Sequence, residues 1–191
     1  MDEVMKDAIY YKSSGGGLTL SGGEPLFQFS FTLELLKRAK ENGLHTCVET
    51  CGYAKPKEIK EILPYTDLFL FDFKETNPLL HQKFTGLNNQ MIVENLLKLD
   101  AMDKQIILCC PIIPGLNDRT EHFEGIAHMA DQLTNISEVR IKPYHSMGGT
   151  KYALLGRNYL LTSTKCVGKN EAKLWTNEVQ KRTSMPVNYD E

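Results

Sequence analysis

The chain has 191 residues, 41% apolar and 24% charged, with 22 basic and 24 acidic side chains for a net charge of −2. This is ordinary usage for one domain with a sizeable core, and the near-neutral balance gives no long-range field that would favour nucleic acid or an anionic membrane. No apolar run is long enough to span a bilayer, the acidic Met1-Asp2-Glu3-Val4 is unlike a secretory leader, and five unframed cysteines suit reduced thiols, so a cytoplasmic location is expected.

Apolar positions in residues 1–12 predict a helix that closes at Ser13-Ser14-Gly15-Gly16-Gly17. Leu18–Leu20 reads as a short strand, followed by Ser21-Gly22-Gly23-Glu24-Pro25. Two glycines let the backbone approach a ligand closely, and Glu24 adds an acceptor-only carboxylate. That turn suits an amino-acid-like zwitterion, with a βα turn that simply needs glycine as the alternative. An amphipathic helix over 31–40 carries cations in its last turn and stops near Gly43.

Further on, strands are predicted over 44–50, 67–74, 105–110 and 139–142, and helices over 57–63, 91–101, 121–133 and 171–182. Five strands alternating with helices imply an α/β fold with a parallel sheet, an incomplete (β/α) barrel in a single domain over 1–191. The chain is short of the roughly 250 residues of a complete eight-fold barrel. It opens on a helix, which raises the expectation of a missing upstream strand.

Polar residues gather at the strand ends, where parallel βα folds bind ligands. Period-two alternation puts Leu68, Leu70, Asp72 and Lys74 on one face and Phe69, Phe71 and Phe73 on the other. Asp72 and Lys74 then sit at the mouth of the concave face, as a ligand site or as an internal ion pair. Glu49 reaches the same rim, and two carboxylates there repel unless they hold a cation or ligand hydroxyls. Ribose hydroxyls are a common partner for such carboxylates. In Pro111-Ile112-Ile113-Pro114-Gly115-Leu116-Asn117-Asp118, Asn117 or Asp118 is expected to cap the next helix. His145 ends the fifth strand, as a structural or a site residue. A metal cluster needs several converging thiolates. Cys47 and Cys51 have no third cysteine nearby, and Cys109 and Cys110 point oppositely on a strand, so no metal site is expected.

In order, Gly22-Gly23-Glu24-Pro25, Glu49-Thr50-Cys51-Gly52, Asp72-Phe73-Lys74, Ile113-Pro114-Gly115-Leu116-Asn117-Asp118 and Pro143-Tyr144-His145 resemble the radical S-adenosylmethionine proteins, from about residue 3 to 165. The resemblance is closest to activating enzymes of glycyl radical enzymes, such as that of pyruvate formate-lyase. It implies a partial (β/α)6 barrel with S-adenosylmethionine and a [4Fe–4S] cluster. It further implies a 5′-deoxyadenosyl radical that abstracts hydrogen from a partner glycine, and an electron donor such as flavodoxin or ferredoxin.

Gly22, Gly23 and Glu24 would receive the cofactor's amino group, and Lys74 its carboxylate, with Asp72 beside it. Glu49 would lie near the ribose or a cation, and His145 near the nucleoside. The family's C-x3-C-x2-C loop is absent, as is the arginine that relatives often carry near Cys109 and Cys110. The chain is therefore expected to be a fragment, inactive alone, of an activase whose partner is pyruvate formate-lyase-like or else a diol dehydratase or decarboxylase. A non-catalytic S-adenosylmethionine-binding module is the alternative outside enzymes.

Overall fold

The computed structural model describes residues 1–190, without the side chain of Lys151. Six strands form one sheet: β1 (Gly17–Leu20), β2 (His45–Thr50), β3 (Leu68–Asp72), β4 (Gln105–Ile112), β5 (Ile136–Pro143) and β6 (Val187–Tyr189). They lie in chain order and every neighbouring pair is parallel. Parallel neighbours need crossovers, and here helices supply them. Those helices are α3 (Phe29–Glu41), α4 (Pro56–Ile62), α5 (Pro78–Thr85), α6 (Gln90–Asp100), α7 (Thr120–Gln132) and α9 (Lys169–Gln180). The sheet is an open, partial βα barrel. No helix among the described residues is long and apolar enough to cross a membrane.

The alternation in 68–74 is as expected. Phe69 and Phe71 are fully buried and Phe73 nearly so, whereas Leu68, Leu70 and Asp72 stay partly open. Phe69 and Phe71 pack with Val48, Leu108, Val139 and Ile141 from neighbouring strands and with Leu36, Ile62 and Leu96 from the helices. Each large side chain fully buried in this layer contributes about 1.5–3 kcal/mol. Cys109 and Cys110 do point oppositely. Cys109 registers with Asp72 and Arg140, while Cys110 joins the helix-side core.

Three expectations are corrected. Residues 1–12 form two short helices, α1 (Asp2–Met5) and α2 (Ala8–Ser14), broken at Lys6 and Asp7; neither fully buries a residue, and Val4, Met5, Ala8 and Tyr11 are half-buried. The sheet has six strands, not five. Val187–Tyr189 is too short for a visible alternation and is held by its ladder to β5 and by Val187 N–H donating to Gln180 Oε1 at 2.9 Å. The third correction is α5, absent from the sequence reading, which starts at Pro78 under an Asn77 cap whose Oδ1 accepts from Leu79 and Leu80 N–H. A further short helix, α8 (Gly148–Leu154), follows β5.

Candidate functional site

At the C-terminal ends of β1, β2 and β3 lies a cavity of about 390 Å³. It is lined by Ser21, Gly22, Gly23 and Glu24 from the turn after β1, by Glu49, Thr50 and Cys51 at the end of β2, and by Asp72 and Lys74 after β3. Six of the seven residues singled out in the sequence therefore converge. Gly22 has φ +131°, a backbone conformation that favours glycine, and a Cβ at Gly22 or Gly23 would meet no protein atom within 4 Å. The space above that turn is open.

Glu24 is partly committed already. Its Oε1 accepts from Leu26 N–H at 3.1 Å and from the Thr50 hydroxyl at 2.8 Å, and its Oε2 accepts from Cys51 N–H at 2.9 Å. A carboxylate has about four acceptor positions, so one is left for a ligand donor such as an ammonium. These bonds also tie the β1 turn to the β2 tip, where the Thr50 hydroxyl receives Gly52 N–H. Gly52 has φ +72°, and a Cβ there would lie 2.3 Å from Phe71 Cζ.

Glu49 resolves the expected carboxylate repulsion in a way the sequence reading missed. Lys142 Nζ, from the end of β5, donates to its Oε1 at 2.6 Å, and the Ser21 hydroxyl donates to its Oε2 at 2.5 Å. Burial opposes the charged form of Glu49, yet the Lys142 ammonium and Ser21 hydroxyl hold its carboxyl below the usual range. Burial likewise works against the Lys142 ammonium, but Glu49, with Cys109 and Asp72, more than offsets it and raises Lys142. Applied to Val139–Lys142, the alternation rule used for β3 would have placed Lys142 on the concave face.

Lys74 pairs with Asp72 at 2.7 Å, with its side chain 39% exposed, so the ion-pair reading is realised on a wall of the cavity. Its backbone is fixed from β4. Buried Asn117 donates through Nδ2 to Lys74 C=O at 2.9 Å and to Pro111 C=O at 2.8 Å, and accepts Ile113 N–H at 2.7 Å. This corrects the capping expectation: the α7 N-cap is Arg119, without a side-chain cap bond, and Asp118 instead accepts Gly115 N–H within the loop. The helix simply begins two residues later than an Asn117 cap requires. Next to Lys74, Glu75 is buried and held by Arg119 through both oxygens, at 2.9 and 3.0 Å.

His145 is exposed and lines a neighbouring cavity of about 440 Å³ together with Lys142, Tyr144 and Cys166. Tyr144 N–H donates to Ile112 C=O at 3.0 Å, which closes the β5 end before His145 and leaves the imidazole on that second cavity. All five thiols are free. Burial raises Cys47, pushes Cys51 up to about 11 and Cys109 up to about 12, and raises Cys110 well above the usual thiol range. The thiolate is the metal-binding form. Among the described residues no three His, Cys, Asp or Glu side chains converge as a metal site.

A parallel βα sheet in chain order, with its polar cavity at the strand tips, defines the class as a partial βα barrel. The Radical SAM superfamily matches residues 1–130, and the chain belongs to it. It is 38% identical over 167 residues to the (2S)-3-sulfopropanediol dehydratase activating enzyme of Klebsiella oxytoca, covering 86% of this chain and 53% of that protein. It is 40% identical over 163 residues to the isethionate sulfite-lyase activating enzyme of Nitratidesulfovibrio vulgaris, covering 82% and 52%. The chain thus spans about half the length of the curated relatives it matches. A domain of pyruvate-formate lyase-activating enzyme from Bacteroides vulgatus shares the fold, with TM-score 0.75 and 21% identity over 92% of this chain and 99% of that one.

The superfamily uses S-adenosylmethionine and a [4Fe–4S] cluster. The donor set fits the first. The Gly22-Gly23 cradle is open, and Glu24 and Glu49 keep free acceptor positions. Three cavity carboxylates against Lys74 and Lys142 match a ligand with net positive charge. The described residues do not fit the cluster, because no three ligands converge.

Proposed function

We propose that this chain is the S-adenosylmethionine-binding part of an activating enzyme that installs a glycyl radical on a partner enzyme. The observation that carries the reading is the single cavity shared by the Gly22-Gly23-Glu24 turn, Glu49, Asp72 and Lys74. In the whole activating enzyme the bound cofactor would supply the radical chemistry by which a hydrogen atom leaves a partner glycine.

The chain's own residues bind and orient. The glycine turn and the last acceptor position of Glu24 take the amino group, and Lys74 faces the carboxylate. Glu49, with two of about four acceptor positions filled, takes two ribose hydroxyls. His145, on the neighbouring cavity, serves the far end of the nucleoside.

The names of the curated relatives favour a partner of the dehydratase or sulfite-lyase kind over pyruvate formate-lyase. A flavodoxin or ferredoxin as electron donor, and a cytoplasmic location, complete the proposal. By itself the chain is proposed to be inactive, since its thiols do not hold the cluster. Two measurements test this. Saturation-transfer NMR should show S-adenosylmethionine binding, with amide shifts at Gly22, Gly23 and Lys74. Anaerobic reconstitution with iron and sulfide should give no stable four-iron spectrum, and a stable one overturns the inactivity proposal.

A further inference from the structure

We propose that Lys142 is a positioning residue for the cofactor cavity: its ammonium reaches across the concave face to hold Glu49 with two acceptor positions turned to a ligand's hydroxyls. The proposal rests on the reading of that cavity as an S-adenosylmethionine site.

Lys142 lies on β5 and Glu49 on β2, with β3 and β4 between them. Their charged atoms nevertheless meet at 2.6 Å across 93 residues of chain. Only the curl of the sheet, with both side chains on its inner face, brings them together. The inner placement of Lys142 follows from its register with Pro111, two residues after the Cys109–Arg140 pair. Lys142 also lines the cavity of His145 while its partner Glu49 lines the cavity of the glycine turn. The ion pair is therefore the wall the two cavities share.

The charges around Glu49 give this strut a specific job. Facing or flanking it are Glu24 from the β1 turn, Asp72 and Lys74 from β3, Cys109 from β4, Cys47 from its own strand, and Lys142. Lys74 is engaged by Asp72 at 2.7 Å. Lys142 is thus the cation that neutralises Glu49. Both side chains of the pair are 25% exposed, so the interaction is shielded enough from water to be stronger than a surface pair. Without Lys142, three carboxylates share one ammonium, and Glu49 has the Ser21 hydroxyl as its remaining donor. A carboxylate in that state takes up a proton at higher pH or turns away.

The test is S-adenosylmethionine affinity of the chain, measured by saturation-transfer NMR from pH 4 to 8, for wild type, K142M, K142R, E49Q and the E49Q/K142M pair. K142M is expected to weaken binding about tenfold, the loss of one well-placed charge-assisted contact. K142R, which keeps charge and reach, is expected to recover most of it. In the wild type the Glu49 carboxylate form persists to low pH, so binding shows no acid limb within that range. In K142M the acid limb moves to higher pH, because the cation that held the carboxyl low is gone. E49Q lacks the limb seen in K142M, and adding K142M to it changes nothing more. A purely structural Lys142 would lower the thermal midpoint without moving the limb. K142M that binds like wild type with an unmoved limb overturns the proposal, as does further weakening of E49Q by K142M. A wild-type chain with no saturable signal overturns the cavity reading first, before any variant is compared.

Discussion

On the helix side of the sheet, Phe69, Phe71, Leu108 and Ile141 are fully buried, while on the same strands Leu70, Asp72 and Arg140 remain partly open on the concave side. The helix side is mostly apolar, with a few buried polar groups such as Thr46, Asn95 and His122. The concave side carries charges satisfied in pairs: Glu49 with Lys142, Asp72 with Lys74, and Arg140 with Glu138. One backbone thus serves two purposes, because successive side chains leave a strand in opposite directions. Changes on the helix side should cost stability, and changes on the concave side should cost ligand affinity.

Phe71→Ala tests the first half most severely. It removes a fully buried ring that also packs beneath Gly52, and should cost about 3–5 kcal/mol by urea unfolding. A loss below about 1 kcal/mol would break the comparison.

The helix layer adds a pH signature through His122 on α7. Burial pushes its imidazole down to about 4; Glu75 opposes that shift and Arg119 adds to it. Its Nδ1 receives Thr76 N–H at 3.2 Å, which requires the neutral ring. Because the folded value lies below the unfolded one, the stabilisation is complete above about pH 6.5 and is lost as pH falls toward 4. The span is about 3 kcal/mol, and it should flatten in His122→Asn when unfolding is followed against pH.

Gly23→Ala sharpens the other half. A Cβ there meets no protein atom, so stability should hold or rise by a few tenths of a kcal/mol. Cofactor affinity should fall nonetheless, because the methyl group enters the cavity; calorimetric unfolding and NMR titration of one sample read both.

The smallest effect concerns thiol reactivity. Cys166 is exposed, and hydrogen bonding to Ser146 lowers its pKa, whereas Cys51 and Cys109 sit near 11 and 12. Ellman's reagent at pH 8 should label Cys166 first, and Cys166→Ser should abolish the fast phase without altering stability.

Much of this division was legible in the sequence. The seven residues Leu68–Lys74 state which side chains face helices and which face the cavity, since a strand's period is a local property. The Ser21–Pro25 turn is likewise local, as glycine's backbone freedom needs no distant partner. The superfamily's order of short motifs carried the rest of the assignment. Asn117 was read only as a cap because capping is a local rule, while its bond to Lys74 joins two loops 43 residues apart.

Amino-acid order by itself determined the alternation of strands and helices, the apolar and polar sides of each strand, and the glycine–glutamate turn. Tertiary structure alone decided three matters. It set His145 on a second cavity, gave the sheet a sixth strand at Val187–Tyr189, and joined Lys142 to Glu49. Each depends on how far the sheet curls and on which strands become neighbours. Those follow from the packing of the whole core, so no stretch of the chain read alone contains them.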